Sequence, residues 1–173
     1  MKNSRIILIC GESGTGKTTL SKKIKKEKNF KYISDFEIIK NYNDNISNLD
    51  KKQNLKIPEI IYEFIKNIND ENIVVDLKFS SLYPENFINL NLNKFCEIYY
   101  LGFDNVSYDE LLNVFKIKNP SEQNLETKVK NILNESQIIK KKCNEFDLPF
   151  ISINKNRNKI LEALFNNIIN KNL

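Results

Sequence analysis

Eight consecutive residues near the N-terminus, Gly11-Glu12-Ser13-Gly14-Thr15-Gly16-Lys17-Thr18, satisfy the pattern G-x-x-x-x-G-K-[ST]. Glycines in such a loop let successive backbone N–H groups curl around a phosphate, and the start of the following helix adds the positive end of its dipole. Lys17 is then placed to reach β- and γ-phosphates, and the Thr18 hydroxyl to meet Mg²⁺. Gly11, Ser13, Gly14, Thr15, Gly16 and Thr19 complete the candidate nucleotide-binding set. Three of the four glycines in the 173-residue chain fall in this loop, so the match is not a by-product of a glycine-rich composition.

The loop needs a buried strand before it and a helix after it. Ile6 to Cys10 is apolar and isoleucine-rich, as expected of a strand covered on both faces in a parallel sheet. From Thr18 to Lys28, Leu20 and Ile24 recur at helical spacing among lysines. Phe30 to Ile33 reads as a second strand with Asp35 at its end, and Asn72 to Asp76 as a third, ended by an acid. Residues 41–54 are polar, asparagine-rich and aperiodic, which predicts a surface loop before Pro58 opens a helix with Ile61, Phe64, Ile65 and Ile68 inward. Phe95 to Leu101, ended by Gly102, is a fourth strand, with an irregular stretch around Pro84 before it. A helix over Tyr108–Lys116, a long helix from about Glu122 to Glu145 carrying Val129, Ile132, Leu133, Ile138 and Ile139, a fifth strand over Pro149–Ile153 and a last helix near Asn158–Asn170 complete the chain. This alternation predicts an α/β protein in three layers, a five-stranded parallel sheet with helices on both faces, without a repeat or linker in residues 1–173.

Composition excludes much chemistry. There is no histidine, which removes Ser-His-Asp and Cys-His nucleophilic sites and histidine zinc sites. Cys10, Cys96 and Cys143 are too widely spaced for a C-x-x-C pair and too few for a disulfide framework, so a reducing cytoplasm is the expected setting. No apolar run approaches the roughly 20 residues that cross a bilayer. The net charge of +5 suits a phosphate-rich partner, but an Asn-, Ile- and Lys-rich composition with two arginines, Arg5 and Arg157, accounts for it without a nucleic-acid surface. The lysine runs Lys22-Lys23, Lys25-Lys26 and Lys140-Lys141-Lys142 read as solvated helix faces.

With the loop, the strand-end acids and Glu122-Gln123-Asn124-Leu125-Glu126-Thr127 at the head of the long helix, the chain resembles the P-loop kinases of the nucleoside monophosphate kinase-like class, which includes adenylate, cytidylate, shikimate and gluconate kinases. The resemblance implies the P-loop NTPase fold with strand order 2-3-1-4-5, a Mg-ATP donor site, an acceptor-binding segment at about 35–70 and a lid-like segment at about 115–125. It implies that Asp76 is the acid that holds Mg²⁺ together with Thr18, and that Asp35 meets the acceptor hydroxyl as general base. Because ligands gather at the carboxyl ends of parallel strands, the two carboxylates are expected to converge on one cleft. Glu37 could share the task of Asp35 or stabilise the first turn of a helix.

The sequence departs from that class in its arginines. No arginine stands in the presumed lid or shortly after Asp76; Lys78, Lys116 and Lys118 offer charge there without the planar, bidentate geometry of a guanidinium. Adenylate kinases carry Asp-Gly-x-Pro-Arg where this chain has Asp76-Leu77-Lys78-Phe79-Ser80. Asn154-Lys155-Asn156-Arg157 resembles the guanine motif N-K-x-D but has Arg157 at the acid position, so the loop favours ATP, with Arg157 stacking near the adenine. The leading expectation is a phosphotransferase moving the γ-phosphate of ATP to a small hydroxyl-bearing metabolite or nucleotide, with Lys17, Asp35 and Asp76 catalytic. A polynucleotide 5′-hydroxyl kinase and a non-catalytic nucleotide-binding module are the alternatives.

Overall fold

Six buried residues in a row, Ile6–Gly11, need neighbours on both edges and both faces. The computed structural model, which describes residues 4–46, 56–68 and 72–171, supplies them. Ile6–Gly11 is strand β1 at the centre of a five-stranded sheet; β2 (Lys31–Ser34), β3 (Ile73–Leu77), β4 (Glu97–Phe103) and β5 (Phe150–Ile153) complete it in the order β2-β3-β1-β4-β5. Every pairing is parallel. The helices are α1 (Lys17–Lys28), α2 (Asp35–Ile46), α3 (Ile57–Lys66), α4 (Pro84–Asn89), α5 (Tyr108–Lys118), α6 (Leu125–Glu145) and α7 (Arg157–Asn170). This is the P-loop kinase arrangement, and none of the described helices is long and apolar enough to cross a membrane.

Strand alternation divides the core in two. Ile7, Ile9, Val74, Tyr99 and Leu101 meet α1, α5, α7 and the first half of α6 on one face. Ile6, Leu8, Cys10, Ile73, Val75 and Tyr100 meet α2, α3, α4 and the second half of α6 on the other. Helix α6 serves both because its buried residues, Leu125, Val129, Ile132, Ser136, Ile139 and Cys143, repeat at intervals of four and three. Ser136 holds the inward register that the apolar pattern alone assigns to Ile138, which is exposed.

Several boundaries differ from the sequence reading. Residues 41–46, expected in a loop, continue α2, because Ile38 and Tyr42, four apart, pack on the α3 side of the sheet; the rest of that predicted loop, 47–55, lies outside the described residues. Pro84 does not sit in irregular chain but opens α4, between two short 3-10 turns at Phe79–Ser81 and Leu92–Lys94. Gly102 does not end β4; it pairs with Ser152 inside the sheet, and the Phe150 ring occupies the place of a side chain, 2.6 Å from an added Cβ. The long helix starts at Leu125 and not at Glu122, since Asn124 turns into the left-handed region at φ 66°.

Beyond the last β1 partner of β4, the Phe103 amide donates to the buried Ser136 hydroxyl at 3.0 Å. Ser136→Ala leaves that N–H unpaired inside the protein, so chemical denaturation should show a loss of about 1–3 kcal/mol with an unchanged m-value.

Candidate functional site

Gly11 closes β1 in a space that admits no side chain: an added Cβ would lie 2.7 Å from Thr15 Oγ1 and 2.8 Å from the Leu101 carbonyl oxygen. Thr15, fully buried, ties the loop to itself, its hydroxyl donating to the Glu12 carbonyl at 2.8 Å and its amide to the same oxygen at 3.3 Å. Gly14 and Gly16 take φ values of 85° and 95°, which turn the chain into α1. Gly16 provides no side-chain cap and the first turn of α1 carries no acid, so the positive end of the helix faces the loop uncompensated. Ser13 and Gly14 are exposed at the tip, and Thr19 is exposed on the first turn of α1.

Asp76 is the acid brought to this loop. The register pairs it with Ile9 of β1 and Ser34 of β2, and alternation puts it on the same face as Val74, toward α1. Its Oδ2 accepts from the Thr18 hydroxyl at 2.5 Å and from the Tyr32 phenol at 3.4 Å, and its Oδ1 lies 3.7 Å from Lys17 Nζ. Burial, then the Asp76 charge and hydrogen bond, push the Tyr32 phenol up to about 12, so it remains a donor at neutral pH. Tyr32 is a partner that motif reasoning misses. It stands opposite Val74 in the register, and period-two spacing toward Asp76 is the signal that could have found it. A hydroxyl and a carboxylate oxygen this close form a hard-donor pair, the kind that takes Mg²⁺ with waters and phosphate oxygens filling the other positions.

Asp35 is buried at the start of α2, with a separate set of partners. Its Oδ2 accepts from the Ser81 hydroxyl at 2.5 Å and the Lys78 amide at 3.0 Å, and its Oδ1 from the Phe36 amide at 2.8 Å. The carboxylate thereby fastens the turn after β3 to the entry of α2. Asp35 and Asp76 end neighbouring strands, but no hydrogen bond or ion pair joins their partners among the described residues. Ser81 comes from the irregular stretch that sequence reading left without structure. Glu37 accepts from the Ser34 amide and hydroxyl, each at 2.8 Å, and these two bonds hold its carboxyl below the ordinary range; it caps α2.

On the other flank, Arg157 is the first residue of α7, and its Nη1 donates to the Gly14 carbonyl at 3.1 Å, which puts its charge at the tip of the loop. Burial and the nearby Arg157 charge push the Lys118 ammonium down. The Phe115 ring lies against Gly14, 3.1 Å from an added Cβ, so the C-terminal turn of α5 rests on the loop. Lys116 in the same turn and Lys78 after β3 are exposed. A cavity of about 380 Å³ opens between Glu12 and the start of α6.

No protein-family model matches the sequence, and a comparison with curated protein sequences gives no match either. Solved structures do resemble it. A shikimate kinase from Acinetobacter baumannii, in complex with shikimate, aligns with a TM-score of 0.60 at 17% identity, over 98% of this chain and 96% of that one. A gluconokinase from Sinorhizobium meliloti 1021 aligns with a TM-score of 0.54 at 13% identity, over 97% of each chain. The YorR protein of Bacillus subtilis, in complex with phosphorylated GDP, aligns with a TM-score of 0.58 at 13% identity, over 95% of each. The chain therefore has the fold of the small P-loop kinases.

Removing the Ser81 hydroxyl takes a charge-assisted bond from the buried Asp35. Ser81→Ala should cost about 1.5–3 kcal/mol in denaturant melts, whereas Glu37→Gln, at an exposed cap, should cost a few tenths to about 1 kcal/mol.

Proposed function

We propose that the protein transfers the γ-phosphate of ATP to the hydroxyl of a small molecule. The observation that carries this reading is the meeting of Thr18, Lys17 and Asp76 at the mouth of the glycine loop, at the carboxyl edge of a 2-3-1-4-5 parallel sheet. In the reaction the acceptor oxygen bonds to the γ-phosphorus, and the bond to the β–γ bridging oxygen breaks with its electron pair remaining on ADP. The loop amides and Lys17 bind the β- and γ-phosphates, and Lys17 exchanges its contact with Asp76 for them. Thr18 and Asp76 would hold Mg²⁺, which supplies charge neutralisation at the transferring group. Arg157, with Lys118 and Lys116 of the lid-like segment at about 115–125, adds positive charge above the loop.

Asp35 takes the acceptor proton in this scheme. Its Oδ1 holds only the adjacent Phe36 amide, leaving acceptor capacity on the oxygen not committed to Ser81 and Lys78. Of the segment at about 35–70, the described residues 35–46 and 56–68 are assigned to the acceptor side; 47–55 and 69–70 lie outside the described residues. What supports this reading is the position of Asp35 at the end of β2, beside the strand that carries Asp76.

Lys17→Ala should still fold, since the Thr18 and Tyr32 hydroxyls keep Asp76 hydrogen-bonded when its contact with Lys17 is lost. It should weaken ATP roughly 10- to 100-fold in a calorimetric titration, as expected for losing a charge-assisted contact of about 1.5–3 kcal/mol. Unchanged ATP affinity would contradict the assignment. Asp35→Asn retains a capping group and should bind ATP as the parent does, yet transfer on the order of 10²-fold more slowly to an acceptor found by screening hydroxyl metabolites, nucleoside monophosphates and 5′-hydroxyl oligonucleotides. Equal transfer rates would leave Asp35 as a fastener of α2 only.

A further inference from the structure

The ion pair at the mouth of the glycine loop stays open. Lys17 Nζ lies 3.7 Å from Asp76 Oδ1, although the two side chains are only 15% and 7% exposed. Attraction between opposite charges strengthens as water is excluded, so a pair this buried has more reason to close than a surface pair. Yet Lys128–Glu122, Lys140–Asp104 and Lys142–Glu85, all on more exposed lysines, close to 2.6 Å. In the other long pairs, Lys23–Glu27 and Lys171–Glu97, a nearer group holds the ammonium: Glu162 holds Lys23, and the Tyr99 hydroxyl holds Lys171 at 2.9 Å. Among the described residues no nearer group holds Lys17.

Here it is the carboxylate that is held. Asp76 Oδ2 accepts from the Thr18 hydroxyl at 2.5 Å and from the Tyr32 phenol at 3.4 Å. Thr18 shares the first turn of α1 with Lys17, and the terminal torsion of an aspartate is broad and two-fold, so the Thr18 bond alone leaves the carboxylate able to turn toward the ammonium. An anchor from another element removes that freedom. Tyr32 and Ser34 of β2 share the sheet face of Val74 and Asp76, and Ser34 is the register partner of Asp76, but its hydroxyl donates to Glu37 at 2.8 Å. Among the described residues of β2, Tyr32 is therefore the side chain that reaches Asp76.

We propose that Tyr32 is a positioning residue that holds the Asp76 carboxylate on Thr18 and off Lys17, so that the ammonium stays free for phosphate. The inference rests on the phosphotransfer reading and adds to it what keeps two opposite charges of one site from neutralising each other. A phenol suits the task, because it orients a carboxylate by donating and brings no charge of its own to compete for phosphate. Without it, Lys17 closes on Asp76, the fraction of molecules ready to bind a nucleotide falls, and the apparent affinity falls with that fraction.

The test is a calorimetric titration of the full chain with ADP, run in EDTA and again in Mg²⁺. Metal-free ADP needs Lys17 for its phosphates and makes no demand on Asp76. Tyr32→Phe keeps the ring and a cooperative denaturant transition, and it should weaken ADP on the order of tenfold in either buffer; Tyr32→Leu should do the same. In the Asp76→Asn background there is no carboxylate charge to close on Lys17, and in the Lys17→Ala background no ammonium, so adding Tyr32→Phe to either should change ADP affinity by less than about twofold. A tyrosine that only supports the fold would weaken ADP equally in every background. That result, or ADP affinity unchanged by both Tyr32→Phe and Tyr32→Leu, would overturn the proposal while leaving the phosphotransfer reading in place. A parent protein that binds ADP in neither buffer removes that reading and this inference with it.

Discussion

A buried carboxylate at the end of an otherwise apolar strand sets the terms for the whole site. Asp76 follows three buried residues and is itself 6% exposed, so its charge has to be met by the protein. Lys17 and Thr18 meet it from the first turn of α1, and Tyr32 from β2. One side chain thereby joins α1 and β2 to β3, elements that come together only when the sheet is assembled. The same contacts are the ones a phosphate and a cation would replace. These contacts hold the loop against the sheet without leaving a charge buried alone.

Asp35 performs a comparable service one strand over. Its bonds to Ser81 and the Lys78 amide hold the turn after β3 against α2, and Glu37 closes the entry of that helix from the solvent side. The acid proposed to handle the acceptor is therefore supported by a serine that sits in a 3-10 turn. Such support matters because a base must be held in place to within a fraction of an ångström of its proton.

Glycine is scarce in this chain, and asparagine does the turning elsewhere. Asn29, Asn91, Asn105 and Asn124, with Asp147, adopt positive φ between 53° and 66°, at the C-cap of α1, before a 3-10 turn, in the loop after β4, at the head of α6 and ahead of β5. Asparagine tolerates this region better than other non-glycine residues because its short amide can bond locally. True glycine is kept for Gly11 and Gly102, where there is no room for a Cβ, and for Gly14 and Gly16, where the loop needs both the conformation and the approach.

The sequence by itself determined the loop, the strands and their alternation with helices, and the acids at the ends of β2 and β3, because these depend on local pattern: glycine spacing, unbroken Ile and Val runs, apolar repeats of three and four. Strand order was legible only through resemblance to known kinases, since nothing local says that β3 lies between β1 and β2. What the tertiary structure decided is the partnership of side chains. Tyr32 and Ser81 carry no motif and become visible only when neighbouring strands fix their register. Ser136 is polar and still points inward because the Phe103 amide needs an acceptor. Residues 41–46 read as loop by composition and are helix because Ile38 and Tyr42 find the same apolar surface. Contacts between residues far apart in the chain join these side chains, and their free energy belongs to the assembled sheet, which is why no window along the sequence contains it.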